Sequence, residues 1–335
     1  MSSVKPVVLL TNDDGPPDSK ESPYILGLYR HLKLHLGWDV RVVLPSSQKS
    51  WIGKAYHIKE VTKGNYFYPK EDGNGEISPH PRPLEDGELA EWILLDGTPA
   101  TCANIALHNL FNDGIDLVIS GPNLGRNTSS AFALSSGTIG AAMSASLSKK
   151  RSIALSYGTV VHPTPSAYFE PAHELSCRII NYLWNNWGQD DCGIRHGEVD
   201  LYSINIPLIE NILSDEGLKI SWTTMWRNSY GRLFKSISML DDRSAKAAGP
   251  DALDDSQSLI FVPRSNSEGN NQLLFKWAPE IAGLITPSLD SLPVGSDGWA
   301  LHQGWVSVTP LRASFGEPAT TLVVDPDSLV WKMRL

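Results

Sequence analysis

The sequence predicts an α/β fold with a mostly parallel sheet and helices on both faces. Along the first 207 residues, short apolar runs rich in β-branched residues alternate with longer segments of helical spacing. Several of these runs are apolar almost throughout, which is typical of strands covered on both faces of a sheet. Regular alternation of strands and helices indicates parallel strands joined by helical crossovers.

Five strands are predicted from these short apolar runs, at residues 6–11, 39–45, 115–121, 151–158 and 199–207. Four helices lie between them in the chain, at residues 22–37, 97–111, 135–148 and 172–187. The second helix has a clear beginning, because Thr98 suits the capping position and Pro99 suits the first helical position. Residues 52–90 lack clear periodicity and predict an irregular excursion that contains a hairpin.

The second half of the chain is less regular, and we interpret all 335 residues as a single domain. Residues 1–207 are the predicted α/β core, and residues 208–335 are a C-terminal extension. Within the extension, residues 240–275 are polar and without periodicity, which predicts a loop or partial disorder. A strand-like pattern occurs again near the end of the sequence, and it predicts a returning element at 296–311.

Composition excludes several classes of function. The hydrophobic content of 41% and charged content of 19% are those of an ordinary globular protein. A net charge of −9 argues against a nucleic-acid polymer as partner. The three cysteines form no CxxC pair and favour a reducing compartment. The N-terminal apolar run is too short for a signal peptide or a membrane span, so we expect a cytoplasmic protein without membrane contact.

Oxygen-bearing side chains follow the predicted strands. Asp13 and Asp14 come after the first strand, Ser50 after the second, and Asn123 after the third. Because ligands of open α/β sheets bind beyond the carboxyl ends of the strands, we expect these side chains to meet there. Carboxylate, amide and hydroxyl oxygens suit Mg²⁺ or Mn²⁺, with Ca²⁺ as an alternative, rather than Zn²⁺.

The pair Asp13–Asp14 has two interpretations. Asp-Asp-Gly is an ordinary turn signal, and the same dipeptide of aspartates recurs elsewhere in the chain. Alternatively, a divalent cation offsets the repulsion between two neighbouring carboxylates in a cleft. A covalent aspartyl-phosphate on this pair is disfavoured, because Asn12 stands two residues before Asp14 and Gly15 two residues after Asp13, so the DxD spacing of such phosphatases is missing here.

Two further features also carry alternatives. Ser136, Gly137 and Thr138 precede a helix of small residues, either as an ordinary cap or as an anion site at its N-terminus. His31 and His35 are four residues apart, which suits a metal pair but is more typical of a solvated helix face.

Several short segments occur in the order found in the SurE survival-protein family of metal-dependent phosphatases, which this sequence resembles. They read VVLLTNDDG, VVLPSSQKS, LDGTPATC, DLVISGPNLGRN, SSGTIGAA and IALS. The later segments SINIP and SDGWALHQGWVSVTPL resemble the C-terminal part of the family. The likeness covers most of residues 6–207 together with 296–311.

The resemblance implies a Rossmann-like domain whose C-terminal extension makes oligomer contacts, in a homodimer or homotetramer. It also implies hydrolysis of nucleoside monophosphates, other phosphate monoesters or short polyphosphate. One divalent cation per subunit is implied on the residues that match the family's metal motifs, namely Asp13, Asp14, Ser50 and Asn123. The phosphate is implied on Asn127, Ser136, Gly137 and Thr138. Catalysis is assigned to Asp13, Asp14 and Asn127.

The chain departs from the family pattern in places. Thr101 stands where the family usually has an acidic residue, and the segment after Gly15 is longer than in the compact bacterial form. Insertions at 60–90 and 240–275 resemble those of a fungal-type member. The alternative function is a non-catalytic nucleotide-binding or scaffold protein that keeps the fold. A nicotinamide oxidoreductase is disfavoured because no GxGxxG follows the first strand.

Overall fold

A ten-stranded sheet forms the centre of the molecule in the computed structural model, which describes residues 5–112, 114–159, 163–236, 273–280 and 282–316. Its strands are β1 (Val7–Thr11), β2 (Asp39–Pro45), β3 (Gly64–Pro69), β4 (Gly75–Ser78), β5 (Trp92–Leu95), β6 (Leu117–Leu124), β7 (Arg151–Thr159), β8 (Leu201–Leu208), β9 (Ile220–Trp222) and β12 (Val306–Leu311). A separate two-stranded antiparallel sheet pairs β10 (Phe234–Ser236) with β11 (Phe275–Trp277).

The order across the sheet is β4-β3-β5-β2-β1-β6-β7-β8-β12-β9. The six central strands, β5 to β8 in that order, are parallel. The antiparallel pairs lie toward the edges, where β3 joins β5 and β4, and β12 joins β8. The predicted fold class, a mostly parallel sheet with flanking helices, is therefore confirmed. The use of the C-terminal extension for oligomer contacts stays a prediction.

Helices cover both faces of the sheet. The helices are α1 (Ile25–Leu34), α2 (Pro99–Ile105), α3 (Ser129–Ser135), α4 (Gly137–Leu147), α5 (Phe169–Asn185), α6 (Ala282–Ile285) and α7 (Asp297–His302). Val8 and Leu10 pack in one core with α1 and α5, whereas Leu9 packs in a second core with α2. Because neighbouring residues of a strand point to opposite faces, a continuous apolar run fills both cores.

The structure agrees with one local prediction, corrects a second and adds a helix. The irregular excursion at 52–90 contains the predicted hairpin, as β3 and β4, and this hairpin extends the main sheet beside β5. The helix predicted over 97–111 is α-helical only to Ile105 and continues as a π-helical segment, Ala106–Leu110. Helix α3 was not predicted at all. Of the predicted loop at 240–275, residues 240–272 lie outside the described residues.

The predicted returning element at 296–311 contains α7 and β12, and β12 lies between β8 and β9 in the main sheet. The division into a core at 1–207 and an extension at 208–335 stays a prediction. Across the described ranges, every helix is too short or too polar to span a bilayer.

Helices α1 and α5 meet through a buried histidine. A Cβ on Gly27 of α1 would lie 2.2 Å from Nε2 of His173, so only glycine leaves room for this ring. Nδ1 of His173 lies 3.0 Å from the hydroxyl of Tyr157. His31 is buried against the same region and lies 2.7 Å from Oε2 of Glu170, so its predicted place on a solvated face is wrong.

We predict that His173 makes the protein less stable as pH falls below neutral. Burial, with a second contribution from nearby His31 that outweighs Glu170, lowers the pKa of His173 to about 3. The unfolded chain binds a proton at this residue below pH ~6.5 and the folded protein does not, so stability is lost as pH falls. Between pH 7 and pH 5 this residue alone removes about 2 kcal/mol of the free energy of unfolding.

Urea unfolding of wild type and His173→Gln at the two pH values measures this effect. The loss on going to pH 5 should be smaller in the variant by about 2 kcal/mol. His80→Gln changes an exposed histidine and should keep the wild-type loss. Equal losses in all three proteins would contradict the assignment.

Candidate active site

The two adjacent aspartates follow β1 on a turn that its neighbours close. The side-chain amide of Asn12 donates to the carbonyl of Gly15 over 2.8 Å, and the N–H of Gly15 donates back to Asn12 Oδ1 over 3.0 Å. Gly15 has φ +89°, a conformation that favours glycine. The turn interpretation and the ligand interpretation are therefore compatible, because this turn holds Asp13 and Asp14 buried at the carboxyl edge of the sheet.

Asp13 is held by the start of α4. The hydroxyl of Thr138 donates to Asp13 Oδ1 over 2.5 Å. Burial raises the pKa of Asp13 to about 6, while hydrogen bonds from Thr138 and from the backbone of Gly137 act in the opposite direction. The backbone N–H of Lys49 donates to the Asp13 carbonyl over 2.7 Å, which joins the loop after β1 to the loop after β2.

Asp14 is held from the other side, by the end of β6. The N–H of Leu124 donates to Asp14 Oδ2 over 2.8 Å. The neighbouring Asn123 donates from Nδ2 to the carbonyl of Gly125 over 2.8 Å, which fixes the plane of its amide. The carbonyl oxygen of that amide is the atom that can serve as a ligand.

A small pocket lies where these loops meet. It is lined by Asp13, Ser50, Trp51, Asn123, Arg126, Asn127, Phe132, Ser135 and Ser136. Five of the residues predicted from sequence are thereby brought together around one space. Asp14, Gly137 and Thr138 are the other three and lie outside this lining. Gly137 and Thr138 hydrogen-bond the lining residue Asp13, whereas Asp14 is bonded by Leu124.

Asn127 is positioned by the next two strands of the sheet. Its backbone N–H donates to Oδ1 of Asn205 on β8 over 2.7 Å. Its side-chain Nδ2 donates one N–H to Oγ of Ser156 on β7 over 2.9 Å. Ser136 lies where both of its predicted roles are possible. It lines the pocket, and its Oγ caps α4 by accepting a hydrogen bond from the N–H of Ile139.

The donor set fits a hard divalent cation. Ser50 Oγ is buried and has no hydrogen-bond partner among the described residues, an arrangement that a bound cation would satisfy. The nearby candidate ligand atoms are carboxylate and amide oxygens, which suit Mg²⁺, Mn²⁺ or Ca²⁺. Among the described residues, neither cysteine nor histidine lines the pocket, so these residues do not include the ligands that zinc prefers.

Sequence reasoning missed the apolar and cationic walls of the pocket. The ring centroids of Trp51 and Phe132 lie 5.7 Å apart, and the ring of Trp277 on β11 lies 5.0 Å from that of Trp51. Arg126 lies within the SGPNLGRN segment that the sequence indicated as functional, but no role was predicted for its positive charge. The pairing of Trp51 with Trp277 has no signal in sequence spacing.

Helix α3, which carries Phe132, depends on a buried aspartate far along the chain. Asp297 accepts hydrogen bonds from the backbone N–H groups of Ser129 and Trp226, over 2.8 and 2.9 Å. Burial raises the pKa of Asp297 to about 6, and these N–H bonds oppose that shift. Asp297 was quoted only as part of a C-terminal motif, with no role assigned to it.

The family model described as Survival protein SurE matches residues 8–232. The chain belongs to the SurE family. This match contains all eight predicted site residues and the loops that carry them.

SurE proteins from other organisms agree with this placement. The chain is similar to the 5′-nucleotidase SurE of Archaeoglobus fulgidus, at 27% identity over 97% of this chain and 99% of that protein. It is also similar to the 5′-nucleotidase SurE of Campylobacter concisus, at 36% identity over 60% of this chain and 66% of that one. The crystal structure of SurE from Aquifex aeolicus has the same fold, with a TM-score of 0.57 at 22% identity, covering 96% of this chain and 98% of that one.

A yeast protein is also similar and is much longer. The Saccharomyces cerevisiae protein named probable tubulin–tyrosine ligase PBY1 is 34% identical over 92% of this chain. The chain spans only 41% of the length of this yeast protein, so a large part of the yeast protein has no counterpart in the match.

We predict that Gly137→Ala weakens metal binding. A Cβ at this position would lie 2.7 Å from Asp13 Cβ and 2.9 Å from Asp13 Oδ2, so the carboxylate must move. Calorimetric titration with Mn²⁺ should show affinity lower by about 10-fold or more, the usual effect of disturbing a group that orients a ligand. Gly283→Ala is the matched control, because a Cβ there has no neighbour within 4 Å. Wild-type Mn²⁺ affinity in the Gly137 variant would contradict this role for the α4 terminus.

Proposed function

We propose that this protein is a divalent-metal-dependent phosphomonoesterase that hydrolyses nucleoside monophosphates. The observation that carries the proposal is the meeting of Asp13, Ser50, Asn123 and Asn127 around one pocket at the carboxyl edge of the sheet. The SurE relatives named 5′-nucleotidase support this reaction class. Other phosphate monoesters and short polyphosphate are further substrates that the same chemistry would accept.

Asp13, Asp14, Ser50 and Asn123 would hold one Mg²⁺ or Mn²⁺, with Ca²⁺ as an alternative bound ion. When bound, such a cation neutralises charge on the phosphoryl oxygens and activates a water for attack. The protein contributes fixed oxygen ligands, two of which it holds by named hydrogen bonds from Thr138 and Leu124. Fixed ligands need no rearrangement during the reaction.

Asn127 and Ser136 are the residues we propose to contact the phosphate, since both line the pocket. Gly137 and Thr138 stay predicted phosphate residues, although the donors described above face Asp13. Of the two aspartates, Asp13 lines the pocket, so we propose that its carboxylate accepts the proton of the attacking water. Asp14 then acts as a ligand alone.

The aromatic wall favours a nucleoside as leaving group. Trp51 and Phe132 give one side of an otherwise polar pocket a flat apolar surface, on which a purine or pyrimidine ring can pack. Trp51 has φ +61°, a strained conformation that costs a bulky residue about 1–3 kcal/mol. We propose that this strained backbone serves to present the indole to the pocket.

We expect hydrolysis of adenosine 5′-monophosphate and p-nitrophenyl phosphate with Mg²⁺ or Mn²⁺, and loss of both activities after chelation. Asp13→Asn should lower kcat/KM by about 100-fold or more, because a ligand and a proton acceptor are removed together. Activity that survives thorough chelation would overturn the metal dependence. No hydrolysis with any metal or substrate would favour the alternative, a nucleotide-binding protein without catalysis.

Trp51→Ala should separate nucleotide from non-aromatic substrates. We expect KM for adenosine 5′-monophosphate to rise by about 3- to 10-fold, the value of one aromatic stacking contact. KM for glycerol phosphate should change less than twofold, because its leaving group has no ring to pack. A parallel rise for both esters would show that Trp51 acts on the phosphate end instead.

The homodimer or homotetramer and the cytoplasmic location also stay proposals. Light scattering on the purified protein measures the first, and a monomer at micromolar concentration would contradict it.

A further inference from the structure

One cation stands among the residues that line the pocket. Arg126 lies between Asn123 and Asn127 on the loop after β6, and among the described residues it is the single lysine or arginine that lines the pocket. We propose that Arg126 binds the phosphoryl group of the substrate directly and sets the protein's affinity for phosphate dianions. This inference rests on the proposed function and adds to it a binding residue beyond the eight predicted from sequence.

The negative charges at the site would exceed the charge of one divalent ion once a phosphate ester binds. Asp13 and Asp14 carry two negative charges when ionised, which one divalent ion offsets. A phosphate monoester brings close to two more negative charges at neutral pH. A guanidinium at the pocket wall opposes that added charge, and its planar fork of N–H groups matches two phosphoryl oxygens at once.

The loop that carries Arg126 is held on both sides. Gly125 donates from its N–H to the carbonyl of Tyr157 over 3.0 Å, and it accepts from the side chain of Asn123 over 2.8 Å. On the other side, the backbone of Asn127 donates to Asn205 over 2.7 Å. The backbone of Arg126 is therefore fixed to β7 and β8, so little ordering of the loop is needed when an anion binds.

The side chain is also directed by a contact from the C-terminal part of the chain. Nη1 of Arg126 donates to the carbonyl of Ile285, at the end of α6, over 3.0 Å. A guanidinium carries five N–H groups, so it can make this bond and still present donors to a phosphoryl oxygen. Ile285 packs against the small apolar cluster of Ala131 and Phe132, as Trp51 also does, which places this bond beside the aromatic wall.

The competing interpretation is that Arg126 only fastens α6 to the loop. The two roles predict different measurements. If Arg126 only holds α6 to the loop, its loss lowers the unfolding temperature and leaves phosphate affinity unchanged. If Arg126 binds phosphate, its loss lowers phosphate affinity and leaves the unfolding temperature unchanged. Arg126→Gln separates them, because glutamine keeps an N–H donor for a carbonyl and loses the charge.

The test is calorimetric titration of inorganic phosphate into the Mg²⁺-loaded protein, with thermal unfolding of each variant. We expect Arg126→Gln to bind phosphate about 10- to 100-fold more weakly, as for loss of a charge-assisted hydrogen bond, and to unfold near the wild-type temperature. Arg126→Lys keeps the positive charge but loses the planar guanidinium, so its phosphate affinity should lie between those of the wild type and Arg126→Gln. Arg232→Ala removes an arginine that forms an ion pair with Glu280 outside the pocket lining, and this variant should bind phosphate like the wild type.

Phosphate affinity within twofold of wild type in Arg126→Gln would overturn the proposal, and so would a wild type that binds no phosphate. A drop in unfolding temperature with unchanged affinity would assign Arg126 to the tether. Because binding is measured without turnover, the result is separate from the proposed function. A wild type that binds phosphate through Arg126 but hydrolyses no ester would keep this inference and remove the phosphomonoesterase.

Discussion

Two buried carboxylates at the end of β1 set the requirements for everything around them. Burying charge without compensation is unfavourable, so each aspartate needs donors or a cation. Thr138 and the first N–H groups of α4 serve Asp13, and the end of β6 serves Asp14. The small residues at the start of α4 follow from the same constraint, because Gly137 lies so close to Asp13 that no Cβ fits between them.

Residues far along the chain complete the same site. Asp297 holds the start of α3, and α3 carries Phe132 into the pocket wall. Trp277 covers Trp51, and the Ile285 carbonyl fixes Arg126. The oxygen-bearing residues of the pocket are therefore positioned mainly by the parallel sheet, while the aromatic wall and the side chain of Arg126 also depend on the C-terminal part.

Sequence patterning was sufficient for the parallel core, because apolar runs and helical spacing are local signals. The polar end of the site was also accessible, since the carboxyl ends of neighbouring parallel strands must meet. Helix α3 was missed because its support is a contact 168 residues away, between Ser129 and Asp297. His31 was misplaced because burial against Glu170 depends on how α1 and α5 pack. The aromatic wall likewise joins residues that no spacing relates.

The assignment of Asp13, Asp14, Ser50 and Asn123 as ligands of one divalent cation can be tested by anomalous diffraction from crystals soaked in Mn²⁺. We expect one strong peak within about 2.0–2.6 Å of oxygens from these four residues, the range of hard-cation bonds. Among the described residues there is one other cluster of three carboxylates, Glu76, Glu85 and Glu88, and Arg82 forms an ion pair with each of them. A peak at that cluster, or none at the pocket, would contradict the assignment.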